Sequence, residues 1–236
     1  MRLKGLIVLF FVFLSFQDLE AVDLEGLKLG INTGFTYMNS KSLNTVTQGL
    51  NAGYGTDFGN IHIPMLLNFA LMVDIGRSSI GIESAYEFAN RGAYSAIYNF
   101  VENISYSAIP FGLKYQYEIH KNRRWLFTVD ASTGIMFVSF NMGNTPSITG
   151  NDVSFNSSAK AWYFTSGLGS TYFITDLIGV NASLNFRYAQ TSAFRYSADD
   201  GRHNSGDEVR FSDGSGLTIN LLGLQFLLGL VLNWSL

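Results

Sequence analysis

The chain has 236 residues, with 15 basic against 18 acidic side chains and a formal net charge of −3. That balance gives no basis for charge-driven nucleic-acid binding, and the absence of cysteine excludes a disulfide frame or a lipobox anchor. Aromatic residues at 15%, 24 glycines and 3 prolines point instead to strands separated by glycine-bearing turns.

Arg2 and Lys4 precede the apolar run Leu6 to Leu14, followed by polar residues and Ala21. This is the order of a secretory signal peptide, residues 1–21, and the apolar run is too short to anchor a membrane protein. Sec-type export is expected, leaving residues 22–236 as one domain. The net charge does not change on cleavage, because Arg2 and Lys4 cancel Asp18 and Glu20.

Period-two alternation then recurs along the chain. Leu27 to Met38 sets Leu27, Leu29, Ile31, Phe35 and Tyr37 on one face against Lys28, Gly30, Asn32, Gly34 and Thr36. Ile61 to Asp74 sets Ile63, Met65, Leu67, Phe69, Leu71 and Val73 against His62, Asn68, Ala70 and Asp74. Ile80 to Ala89 opposes Ile80, Ile82, Tyr86 and Phe88 to Gly81, Glu83, Ala85 and Glu87. Asn103 to Ile119 opposes Ile109, Phe111, Leu113, Tyr115, Tyr117 and Ile119 to Ala108, Gly112, Lys114, Gln116 and Glu118. Trp125 to Phe140 carries Trp125, Phe127, Val129, Ile135 and Phe137 against Thr128, Asp130, Ser132 and Gly134. Ala161 to Ile174 carries Trp162, Phe164, Leu168 and Tyr172 against Thr165, Gly167, Gly169 and Thr171. Val180 to Gln190 has Val180, Leu184, Phe186 and Tyr188 against Asn181, Ser183, Asn185 and Arg187.

The eighth segment closes the chain. Its apolar run from Leu217 to Leu232 is too short for a membrane helix and is interrupted by Asn220 and Gln225. With period two, Leu222, Leu224, Phe226, Leu228, Leu230, Leu232 and Trp234 share a face.

Eight strands form an even count, and their connectors alternate. Short turns at Ile75–Ser79, His120–Arg124 and Thr175–Gly179 follow the second, fourth and sixth strands, while long links follow the odd-numbered ones. All short connectors therefore lie at one end, as in an eight-stranded antiparallel up-and-down transmembrane β-barrel with short periplasmic turns and long extracellular loops. A soluble barrel would point its bulky apolar face inward. Here glycine, alanine, serine and threonine share a face with Glu83, Glu87, Lys114, Glu118, Asp130 and Arg187. Small residues fit a tight interior, so the bulky face looks outward, which only lipid tolerates. Aromatics support this: Tyr115, Tyr117, Trp125, Tyr172 and Trp234 lie toward the short-turn end, and Tyr37, Tyr86, Trp162 and Tyr188 toward the loop end. Two such girdles mark the membrane interfaces.

Across the mature chain this pattern resembles the small eight-stranded bacterial outer-membrane barrels: outer membrane proteins W and X, the opacity proteins and the OmpA barrel domain. The resemblance implies an integral outer-membrane protein of a bacterium with two membranes, in contact with outer-membrane lipid and lipopolysaccharide or its equivalent. It also implies that the last strand, with Trp234 near its end, is read by the barrel-assembly machinery. No C-terminal peptidoglycan-binding domain like that of full-length OmpA-like proteins is expected.

The inward charges Glu83, Glu87, Lys114, Glu118, Asp130 and Arg187 form the candidate lumen network. A symmetric hairpin about His120–Arg124 would set Ile119 opposite Trp125 and Lys114 opposite Asp130, a favourable charge pair. Such a network is either a gate or a packed interior, since eight strands leave a space that side chains can fill. No catalytic site is expected: the histidines are His62, His120 and His203, and no His-x-Ser arrangement occurs at His62. No cofactor or metal is expected either; Asp199, Asp200, Asp207, Glu208 and Asp213 lie in the last long link without EF-hand spacing, which reads as a solvated loop. The links Asn39–Asn60 and Thr191–Ser215 are long enough to carry function. Two activities follow for a monomeric barrel: a narrow channel for small solutes, hydrophobic ones among them, in the manner of outer membrane protein W, or a non-conducting surface barrel. The latter would bind host or environmental ligands through its loops or stabilise the membrane.

Overall fold

A computed structural model describes residues 24–39, 63–95, 100–144, 155–197, 204–210 and 214–235. The proposed signal peptide, His62, His203, Asp199, Asp200, Asp213 and nearly all of the Asn39–Asn60 link lie outside the described residues.

Eight long strands and one short one form a single closed antiparallel sheet. They are β1 (Leu24–Asn39), β2 (Met65–Ile75), β3 (Ser78–Ser95), β4 (Phe100–Lys121), β5 (Trp125–Asn144), β6 (Phe155–Phe173), β7 (Ile178–Thr191), β8 (Arg195–Tyr196) and β9 (Leu222–Ser235). The long strands pair with their sequence neighbours, β7 pairs with β9, and β9 pairs with β1 to close the barrel. The two-residue β8 continues the position of β7 beside the upper part of β6. The β2–β3 turn is only Gly76 and Arg77; Gly76 has φ +58°, a left-handed conformation that favours glycine.

The register fixes the size of the barrel. Lys28 pairs with Met72, then Gly81, Lys114, Ser132, Thr165, Arg187 and Gly223 in turn, and Gly223 pairs with Met38. One circuit thus returns to β1 ten residues further on. With about 3.3 Å per residue and about 4.8 Å between strands, this stagger tilts the strands by about 40° and gives a backbone radius of about 8 Å. Such a radius leaves room inside for side chains but for little else.

Strand lengths show where the barrel leaves the apolar layer. The 11 residues of β2 rise about 27 Å along the axis, close to the ~25 Å apolar band of such barrels, whereas the 22 residues of β4 rise about 55 Å. β3 to β6 therefore project well beyond the loop-side girdle, and most of what reads as a link between the third and fourth segments is strand.

The polarity of the wall inverts along that projection. In the lower part, Leu67, Phe69, Leu71, Leu113, Val129, Leu168, Leu184 and Leu228 are exposed on the outside. Inward positions there are Asn32, Asn68, Asp130, Ser132, Thr165, Thr171 and Asn185, all buried. Above the girdle the inward positions become Ile104, Tyr106, Ala108, Met136, Val138, Phe140, Ala159 and Ala161, which form one buried apolar cluster. The outward positions there become Asn103, Ser105, Ser107, Ser139, Asn141, Asn156 and Ser158. The projecting part is built like a water-soluble barrel, because no lipid reaches its outer wall.

Two sequence expectations are corrected here. Lys114 does not face Asp130 across the β4–β5 ladder: it faces Ser132, and Asp130 faces Gln116. A bulge between Glu118 and His120 and a tighter turn, with Lys121 opposite Leu126, displace the symmetric register. The last link is also more than a solvated loop. Phe194, Val209, Leu217, Ile219 and Leu221 are buried in the upper apolar cluster, where the Val209 amide donates to the Phe194 carbonyl and the Val209 carbonyl accepts from the Leu217 amide. The strands of the projection leave an apolar opening that this segment fills.

Candidate functional site

The interior is stacked in layers along the barrel axis. Nearest the short turns, β1 and β2 bring Lys28 to Asp74, with Nζ 2.8 Å from Oδ1. Ser79 at the start of β3 donates to the same carboxylate at 2.6 Å and accepts from Lys28 at 3.1 Å. Neither charge was expected in the network, although both lie on the inward face of their segments.

The middle layer centres on Lys114 of β4. Its Nζ lies 3.8 Å from Glu83 of β3 and 4.0 Å from Asp130 of β5, so it shares two carboxylates on the diagonal without being tightly bound to either. Asp130 also accepts from Gln116 at 2.9 Å, and Glu83 accepts from the Tyr163 hydroxyl at 3.2 Å. Gly112 and Gly134, paired across the ladder, make space for that tyrosine: a Cβ on Gly112 would sit 2.7 Å from its hydroxyl.

The upper layer is the most deeply buried. Arg187 of β7 and Glu87 of β3, both 0% exposed, form a two-pronged ion pair across the lumen. Glu87 also accepts from Tyr106 at 3.2 Å and Thr36 at 3.3 Å, while Arg187 Nε donates to the Leu221 carbonyl at 3.3 Å. The pair thereby joins the charged interior to the apolar segment above it. Glu118 lies near the short-turn end, where its carbonyl accepts from Arg77 at 3.1 Å, and it makes no ion pair among the described residues. Tyr106, Tyr163, Thr36 and Gln116 complete the network. Tyr163 was hidden in the sequence between the outward Trp162 and Phe164, and only its inward phase signals its role.

Little space is left between the layers. One cavity of about 20 Å³ lies against Glu83, Lys114, Tyr163 and Arg187, and another of about 30 Å³ lies against Lys28, Asn32, Gln116 and Asn181. A water molecule needs roughly 10–15 Å³ of such space, so each has room for no more than one or a few waters. The Asn32 Oδ1, buried and without a protein partner, lies at the lower one.

The girdle residues are on the outer wall. Trp125 stacks on Phe127 at 5.9 Å and packs against Tyr172 at 4.9 Å, whose hydroxyl accepts from Arg124 at 3.0 Å. Tyr117 lies under Arg77 at 5.6 Å, Tyr115 shares a 3.0 Å hydrogen bond with Ser78, and Trp234 is exposed on β9. At the other edge Tyr37, Tyr86, Tyr188 and Trp162 are exposed, Trp162 at 72%. His120 sits at the short-turn end, stacked 6.3 Å from Phe127.

The family model for the outer membrane protein beta-barrel domain matches residues 6–221. The chain belongs to this outer-membrane β-barrel family. It is accordingly an integral protein of the bacterial outer membrane, and the apolar band between its girdles is its lipid-facing wall. No curated protein matches this outer-membrane barrel in sequence. Among solved structures it is similar to Ail of Yersinia pestis in complex with the heparin analogue sucrose octasulfate, at 14% identity over 89% of this chain and 100% of that one, with a TM-score of 0.43. Neisserial surface protein A gives 8% identity, 89% and 97% coverage and a TM-score of 0.45. The Escherichia coli outer membrane protease OmpT gives 11%, 92% and 99%, and 0.42. Similarity at this level says nothing about the ligand or activity of this barrel.

Proposed function

We propose that this protein is a non-conducting surface barrel, which acts through its projecting strands and external loops rather than by passing solute through its lumen. The observation that carries this reading is the continuous seal from the buried Arg187–Glu87 pair into the apolar cluster of β4, β5, β6 and the Ser192–Leu221 segment. A conduit would need to open both. Its partners are outer-membrane lipid and ligands met at the cell surface, and its chemistry is recognition without catalysis. Residues 1–21 serve export, and β9, ending near Trp234, serves recognition by the assembly machinery.

The channel reading has one observation in its favour: Lys114 stands between two carboxylates at distances that let it move from one to the other. Planar-bilayer recordings of the refolded protein beside a Lys114→Ala variant separate the two readings. Both should be silent while heat-modifiable migration on a gel confirms folding. Stepwise conductance in the wild type that changes in the variant would replace the surface reading with a lumen gate.

A further inference from the structure

The ionised groups that meet inside the barrel do not balance. Lys28 is matched by Asp74 and Arg187 by Glu87, but in the middle layer the single ammonium of Lys114 faces both Glu83 and Asp130. Four carboxylates thus stand against three cations, with Glu118 left aside near the short-turn mouth. The three side chains of the middle layer are between 6% and 11% exposed. At 3.8 and 4.0 Å, Lys114 attracts both carboxylates without hydrogen-bonding either. An excess charge held away from water is costly, so it is neutralised by a proton or by a counter-ion.

Asn32 of β1 separates these two. Its side chain is buried, with the residue 6% exposed, and Nδ2 donates to Asn68 at 3.2 Å, while Oδ1 has no partner among the described residues. Gly229, opposite Asn32 on β9, leaves that oxygen its place, since a Cβ there would lie 2.5 Å from it. Asn32 lines the lower cavity of about 30 Å³ together with Gln116, Asp130, Thr171 and Asn181. Lys28 and Lys114 also reach this cavity, but Lys28 is held by Asp74 at 2.8 Å and by Ser79 at 3.1 Å, and Lys114 leans between its two carboxylates. Gln116 turns its amide nitrogen to Thr128 at 3.3 Å and to Asp130 at 2.9 Å, which leaves its oxygen for another contact. A proton would cancel the charge and leave Asn32 Oδ1 bare; a water would satisfy that oxygen and leave the charge. A single cation meets both demands.

We propose that the lower cavity is a binding site for one monovalent cation of sodium's size, held by Asn32 Oδ1 and the Asp130 carboxylate, with the Gln116 oxygen and a water completing its shell. Hard cations take oxygen ligands of this kind. A divalent ion does not fit, because Asp130 is the one carboxylate lining the cavity and a second positive charge would overshoot the excess. The site lies below the Arg187–Glu87 pair and stands independently of what the external loops bind.

The test is urea unfolding of the protein, refolded into phosphatidylcholine vesicles, as sodium chloride replaces N-methylglucamine chloride at constant ionic strength. An ion that binds only the folded barrel lowers the unfolding constant in proportion to its concentration once the site is filled, about ten-fold for each ten-fold rise in sodium. Asp130→Asn, which removes the excess charge, and Asn32→Leu, which removes the acceptor, should both flatten that dependence. Asn32→Asp should keep it, with half-saturation at lower sodium. Wild-type stability that does not respond to sodium overturns the site and assigns the neutralisation to a proton. A sodium dependence that persists unchanged in the folded Asp130→Asn variant overturns the location; this variant keeps the shape of the wild-type side chain, so it decides even if Asn32→Leu fails to fold. An equal response to magnesium at matched ionic strength overturns the monovalent assignment.

Discussion

Replacing Glu87 with alanine isolates the energetics of the sealed interior. The substitution leaves Arg187 charged, 0% exposed and facing the lumen without its counter-ion, and strips the acceptor from Tyr106 and Thr36. Breaking one partner out of a buried ion pair costs about 3–5 kcal/mol, and two lost hydrogen bonds add up to about 1 kcal/mol each where their donors stay dry. A loss of about 3–7 kcal/mol is therefore expected, read as a lower urea midpoint for unfolding from phospholipid vesicles at unchanged slope. The companion double variant Glu87→Met with Arg187→Met should return to within about 2 kcal/mol of wild type, because no charge is left dry and only the acceptor of Tyr106 and Thr36 is still missing. A single variant costing under about 1 kcal/mol, or a double variant as unstable as the single, would refute the view that the pair is dry and mutually dependent.

Gly112→Ala should destabilise by about 1–3 kcal/mol, because its Cβ would lie 2.2 Å from the Thr133 carbonyl and 2.7 Å from the Tyr163 hydroxyl; the same urea titration measures it. Leu217→Ala removes a side chain 2% exposed in the upper cluster and should cost about 2–4 kcal/mol; limited proteolysis of intact cells should then cut the Ser192–Leu221 segment faster than in wild type. Leu168→Arg, at a site 60% exposed in the lipid-facing band, should cost about 2–4 kcal/mol. Ser158→Arg on the projection should be nearly neutral in stability. Equal costs for these two arginines would show that the membrane boundary does not fall between those positions.

The sequence by itself determined whatever depends on the strand's own period of two. Alternation of Leu27, Leu29 and Ile31 with Lys28, Gly30 and Asn32 is local, so number of strands, the sign of each face and the two girdles could be read residue by residue. The connector lengths added which end carries the turns. Only the tertiary structure decided what depends on register, because register is a relation between distant segments and one bulge moves it. Lys114 meets Asp130 on the diagonal instead of across the ladder for that reason, and Glu87 finds Arg187 at a separation of 100 residues. The inversion of polarity above the girdle was written in Ser105, Tyr106, Ser107 and Ala108, but period-two counting gives the phase of a strand without its depth in the membrane. Depth came from the ten-residue stagger, which tilts the strands and fixes how far β3 to β6 project. The burial of Phe194, Val209 and Leu217 needed the opening they fill, and that opening exists only once the barrel has closed.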